Sequence, residues 1–111
     1  YRKEWDYDGD GTIDAAQYAL PDGSVRAEFS SRVDGRLDEA VTVRDGRVAE
    51  LRRDGKPIAL IPDANPAIVW IGAKSFDLGS DLPPGEGFFR KSGVRYRIVR
   101  VGSIFFAEVL P

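Results

Sequence analysis

Val25-Arg26-Ala27-Glu28-Phe29-Ser30-Ser31-Arg32-Val33 is the stretch that decides the fold. Val25, Ala27, Phe29, Ser31 and Val33 take every second place, with Arg26, Glu28, Ser30 and Arg32 between them. A period of two sends successive side chains to opposite faces, so the stretch reads as a half-buried β-strand. It is bracketed by Asp22-Gly23 and Asp34-Gly35, and the same dipeptide returns at Asp45-Gly46 and Asp54-Gly55. The intervals are 12, 11 and 9 residues, the length of one short strand plus one turn. Asp-Gly between alternating segments is a strong hairpin signal, because tight hairpin turns need residues that tolerate positive φ.

Working outward, Leu37, Val41 and Val43 oppose Asp38, Ala40 and Thr42, with Glu39 interrupting the apolar face. Val48 and Leu51 fall on opposite faces of the next segment, which predicts a bulge or an edge strand there. Residues 12 to 61 therefore read as an antiparallel β-meander. Ile58 to Ile61 is a short apolar run, and Pro62-Asp63-Ala64-Asn65-Pro66 reads as a loop. Ala67-Ile68-Val69-Trp70-Ile71 is apolar on both faces and belongs in the centre of a core. Gly72 to Gly87 is a long irregular segment containing Pro83-Pro84-Gly85, suited to a functional loop, a connector or a cover over an open barrel end. Phe76, Phe88 and Phe89 flank it, as core residues or as a ligand platform. Val94, Tyr96 and Ile98 alternate with Arg95, Arg97 and Val99; Gly102-Ser103 turns the chain; and Ile104 to Leu110 returns. Arg90, Lys91, Arg95, Arg97 and Arg100 read as a solvated strand face. A nucleic-acid groove needs such a basic patch, but no binding motif accompanies this one and the chain is acidic overall.

The expected fold is mainly β: an antiparallel meander closing into a small barrel or sandwich, with at most one short helix. The place for that helix is Ala15 to Leu20, stopped by Pro21, although Ala16, Tyr18 and Leu20 also fit one face of a strand. At 111 residues the chain suits one domain, 1–111. Within it we expect a loop at 6–17, a hairpin meander at 18–61, and a core strand, long loop and hairpin at 67–111.

Composition narrows the chemistry. With no cysteine and no histidine, Ser-His-Asp and Cys-His catalysis, thiolate zinc sites and histidine haem ligation are excluded. Cations held by oxygen ligands remain. No apolar run approaches the roughly 20 residues that span a bilayer. Residues 1–64 carry 14 acids against 10 bases, whereas residues 65–111 carry 4 acids against 6 bases. The acidic excess lies mainly in one place, Asp6-Tyr7-Asp8-Gly9-Asp10-Gly11-Thr12-Ile13-Asp14.

There, carboxylates alternate with other residues and a glycine follows the third. A hard divalent cation wants several oxygen ligands at short range, which alternate loop positions supply. The stretch resembles an EF-hand-type calcium loop, the DxDxDG pattern also found in dockerin-like and other extracellular proteins. That resemblance implies Ca²⁺ held by Asp6, Asp8, Asp10, the Thr12 carbonyl and Asp14, with Gly11 at the sharp turn and Ile13 anchoring the loop to a core. The twelfth position is Gln17, a neutral ligand where the family has a bidentate Glu, so Asp22 or Glu28 is a candidate replacement.

The functional expectation is a non-catalytic, extracytoplasmic β-domain with a structural Ca²⁺ site, serving binding or assembly with a protein or glycan partner. It is expected to be part of a larger or processed protein, since the sequence lacks methionine and opens on Tyr1. The alternative is a carbohydrate-binding or small glycan-acting domain using Glu86 or Glu108 with Trp70 and Tyr96.

Overall fold

The computed structural model describes residues 1–63 and 68–111. The expected loop residues Ala64, Asn65 and Pro66, and Ala67 at the head of the core strand, lie outside the described residues. Two open sheets pack face to face. The first contains β1 (Arg2–Trp5), β2 (Ala15–Ala19), β3 (Val25–Phe29), β4 (Glu39–Arg44), β5 (Arg47–Arg53) and β6 (Lys56–Pro57), in that spatial order. It is an antiparallel meander throughout. The second contains β7 (Leu60–Ile61), β8 (Val69–Ile71), β9 (Gly87–Lys91), β10 (Val94–Val101) and β11 (Ile104–Val109), ordered β7-β8-β11-β10-β9.

The architecture is thus the sandwich, not the closed barrel, and the described residues contain no helix. No helix among them is long and apolar enough to cross a membrane. The second sheet departs from a pure meander in one respect: β8 runs parallel to β11.

The turn chemistry explains the meander. Asp45-Gly46 and Asp54-Gly55 both have positive φ at each residue, the geometry of a two-residue hairpin turn that matches strand twist. The expected irregularity in β5 is a bulge: Thr42 faces Glu50 but Val43 faces Val48, leaving Ala49 unpaired. β3 is shorter than its alternation suggests. The pattern continues to Val33, but the strand stops at Phe29. Side chains compete for the backbone there: the Asp34 amide donates to Ser30 Oγ at 3.0 Å and the Ser31 amide to Asp38 Oδ1 at 2.8 Å. β9 has no period-two alternation in its sequence. Its signal is Ser92-Gly93, a second kind of positive-φ pair, which joins it to β10.

Between the sheets lies a core of Ala15, Ala27, Phe29, Val41, Val43 and Leu51 against Ile71, Val99, Val101 and Phe106. The outer face of the second sheet is also buried. Trp70, Tyr96, Ile98 and Ala107 form a second core there, covered by Phe76 and Leu78 of the long segment. That segment therefore roofs a sheet face instead of capping a barrel. β8, with Trp70 in one core and Ile71 in the other, is buried on both sides as its apolar sequence predicts. An apolar hollow of about 130 Å³ remains under Leu82, Pro83, Pro84 and Gly85.

Candidate metal centre

The acidic stretch connects β1 to β2, so the loop is the tip of a hairpin and not the elbow between two helices. Trp5 pairs with Ala15, and the Asp14 amide donates to the Trp5 carbonyl at 2.7 Å, pinching the loop closed. Within it, backbone amides turn the carboxylates inward. Asp6 accepts from the Asp10 amide at 3.2 Å and the Gly11 amide at 2.8 Å. Asp10 Oδ1 accepts from the Thr12 amide at 2.9 Å and the Thr12 hydroxyl at 2.7 Å. Gly11 has φ +88°, a value that fits the glycine expected at the sharp turn.

One carboxylate oxygen from each of Asp6, Asp8, Asp10 and Asp14 lies within 4.8 Å of the other three. Three of these residues are exposed and Asp14 is fully buried. Asp14 Oδ2 accepts from the Tyr7 amide at 2.9 Å, but Oδ1 is buried with no partner among the described residues. A buried carboxylate oxygen without a donor is costly, and neighbouring negative charge increases the cost. Two of the exposed carboxyls are drawn in opposite directions by their surroundings. Desolvation, then the Asp14 charge, raise the Asp8 carboxyl, while hydrogen bonds from Thr12 lower that of Asp10.

Gln17 lies outside the loop itself. It is the third residue of β2, between Lys3 and Ala27 on the neighbouring strands. A strand advances ~3.3 Å per residue, so Gln17 stands about 10 Å beyond Asp14, where a helix would have curled it back. The substitutes are engaged elsewhere. Asp22 pairs with Arg44 at 2.6 Å, and Glu28 accepts from the Tyr18 hydroxyl at 3.1 Å. Ile13 does not anchor the loop either, being 37% exposed. Tyr7 does so, stacked on Trp5 and edge-on to Phe88 of β9 at 5.2 Å. Thr12 packs its side chain toward Gly35 and its hydroxyl on Asp10.

Behind Asp14 lies a basic side chain expected on the solvated strand face. Arg97 is 2% exposed. Its Nη1 donates to the carbonyls of Ser30 at 2.8 Å and Asp14 at 3.4 Å, its Nη2 meets Glu108 at 2.8 Å, and its guanidinium lies over the Phe29 ring. Glu39 and Arg53 face one another across β4 and β5, as Arg97 and Glu108 do across β10 and β11. Each sheet thus presents one cross-strand ion pair to the other. Arg53 Nη2 joins them, 2.9 Å from Glu39 and 2.7 Å from Glu108. Arg90 and Arg100 keep the solvated positions expected of them, whereas Lys91 and Arg95 are half-buried.

This cluster has a pH signature. Burial, then the nearby Glu39 carboxylate, push the Glu108 carboxyl up to about 9, against the opposing pull of Arg97 and Arg53. The folded chain therefore holds a proton that the unfolded chain releases at about pH 4.3. That contribution is fully present below the unfolded pKa and is lost as pH rises toward the folded one. We expect the melting temperature to fall across this window, with a slope no steeper than about 1.4 kcal/mol per pH unit. Glu108→Gln should flatten the profile. A wild-type melting temperature that climbs steadily from acid to alkaline pH would contradict the assignment.

Trp70 and Tyr96, the aromatics of the glycan alternative, are 0% and 3% exposed and present no ring to a sugar. Glu108 is buried in the ion cluster, whereas Glu86 is exposed ahead of β9. Comparison with protein-family models, with curated proteins and with solved structures finds no match. The fold and site define the chain as a two-sheet β-domain with a carboxylate-lined hairpin loop.

Proposed function

We propose that the chain is a non-catalytic, extracytoplasmic β-domain in which the hairpin loop binds Ca²⁺ structurally, in the service of binding or assembly. The observation that carries this reading is Asp14 Oδ1, a buried carboxylate oxygen with no donor in a group of four converging carboxylates. A divalent cation satisfies that oxygen and removes the mutual repulsion of the four charges. Oxygen-only ligands favour Ca²⁺ or Mg²⁺ over softer metals, and an irregular loop suits Ca²⁺, which accepts flexible geometry. Without a closing glutamate the site is weak, and millimolar extracellular Ca²⁺ is the concentration at which weak sites fill. A structural role follows from the elements around the loop. Sensing uses a movable helix pair, whereas both flanks here are paired strands.

The test is thermal unfolding with and without Ca²⁺. At a hundredfold excess over Kd, Ca²⁺ should add about 2.7 kcal/mol. For a domain of this size that is on the order of 10 °C in melting temperature. Asp8→Ala with Asp10→Ala should abolish the shift, since both residues are exposed and leave the core untouched. No shift at millimolar Ca²⁺ would sink the reading, and an equal shift with Mg²⁺ would reassign the cation.

A further inference from the structure

We propose that the cleft beside the inter-sheet ion cluster is a binding site for a small carboxylate. The cleft is about 250 Å³ and is lined by Arg53, Gly72, Lys74 and Glu108, with Ile71 and Val109 as apolar wall. An adjoining hollow of about 210 Å³ shares Arg53, Glu108 and Val109 and adds Arg32.

Arg53 lines both hollows. Its side chain is 35% exposed, so it is the one member of the ion cluster that reaches solvent appreciably. Among the described residues, Nη2 makes both carboxylate contacts, which leaves Nη1 without a protein acceptor, while Nε is buried and unpartnered. Glu39 and Glu108 fix the guanidinium in place, so an incoming anion meets a donor already ordered. Gly72 lies beside it at φ +98°, and even a Cβ there would make only an ordinary contact with Nη2, at 3.6 Å.

The charges around the opening point the same way. Within the cluster, Arg53 and Arg97 are at most matched by Glu39 and Glu108. Lys74 and Arg32 at the two openings are exposed, and neither is in an ion pair among the described residues. The excess is therefore positive and lies where a ligand enters. A carboxylate accepts charge-assisted hydrogen bonds from guanidinium and ammonium together. A short hydrocarbon body would cover Val109 and Ile71, giving the mixed polar and apolar lining typical of small-molecule sites.

The experiment is a titration of the whole chain, in calcium-free buffer, with acetate and succinate, followed by ¹H–¹⁵N correlation spectra. Saturable shifts are expected at the Gly72 and Lys74 amides and at Arg53 Nε. Arg32→Ala with Lys74→Ala should weaken binding about tenfold or more, a change of ~1.4 kcal/mol. The ligand-free melting temperature should stay nearly constant, since both substitutions are at the surface. Lys74→Glu provides a second variant with the same expected loss. Shifts that never saturate, that chloride reproduces at equal ionic strength, or that survive both variants overturn the proposal. So does tighter binding of inorganic phosphate, which would assign the cleft to a different anion.

Discussion

Replacing Arg97 with leucine should destabilise the domain by about 3–5 kcal/mol, the cost of breaking a buried ion pair from one side. The substitution removes the bond to Glu108 and the 3.8 Å approach to the Glu39 carboxylate, leaving both acidic side chains to share Arg53 in a joint almost closed to water. It also removes the donor that ties the carbonyls of Ser30 and Asp14 to the second sheet. Small domains are stable by about 5–15 kcal/mol, so the loss is a large share of the total. Urea unfolding measures it directly. A loss below about 1 kcal/mol would place Arg97 among surface residues energetically and contradict its burial.

The partner experiment separates the value of the pair from the cost of an orphan. Arg97→Leu combined with Glu108→Leu removes both members of one cross-strand pair. Removing both partners of a buried pair is often close to neutral, since two desolvation costs vanish with the attraction. The double variant should therefore recover part of the loss, although Arg53 and Glu39 are then left to balance one another alone. A coupling energy of about 0.5–3 kcal/mol between the two sites is expected for residues in one network. Additive losses would mean that the two side chains do not share a network.

The ion cluster is hidden in the sequence for a physical reason. Period-two alternation identified the strands of the meander because one face of each is apolar and the Asp-Gly turns fix their lengths. The same alternation contains the cluster. Arg97 is in phase with Val99 and Val101, Glu108 with Phe106, Glu39 with Val41 and Val43, and Arg53 with Leu51. Read strand by strand, each charge ends or interrupts an apolar series, and solvent is the cheaper explanation for any one of them. Only the packing of the β4–β5 pair against the β10–β11 pair brings two arginines and two acidic side chains to a single joint. That pairing across 55 residues, from Arg53 to Glu108, is tertiary information.

The acidic loop had the opposite character. Its carboxylates are local, so spacing alone brought Asp6, Asp8, Asp10 and Asp14 together. The closing ligand was not local in the same sense: its place depends on whether the chain leaves the loop as helix or strand. Ala15 to Ala19 forms a strand because Trp5 and Phe29 offer neighbours on both sides, and this moves Gln17 away. Ile13 and Tyr7 exchange roles for a related reason. A hairpin tip directs Tyr7 toward β9 and leaves Ile13 facing outward.

Trp70 should behave as a core residue, and the contrast between two substitutions makes the test sharp. Trp70→Ala removes a fully buried indole that packs against Phe76 at 6.3 Å and Tyr96 at 6.1 Å. The second core consists of one sheet face and a roof without regular structure, so collapse around the vacated volume is incomplete. The expected loss is about 3–5 kcal/mol, the range for truncating a buried large aromatic. Trp70→Phe loses less packing, and it also deletes an indole N–H that has no acceptor among the described residues. An unsatisfied buried donor costs about 1–3 kcal/mol, which offsets part of the lost volume. The phenylalanine variant should therefore recover most of the stability that alanine loses. The fluorescence of Trp70 in wild type should resist quenching by acrylamide, with Trp5 taking most of the collisions. If Trp70→Ala were instead folded, nearly as stable as wild type and defective in binding a glycan, the ring would be serving a ligand and the packing of the second sheet would have to be redrawn.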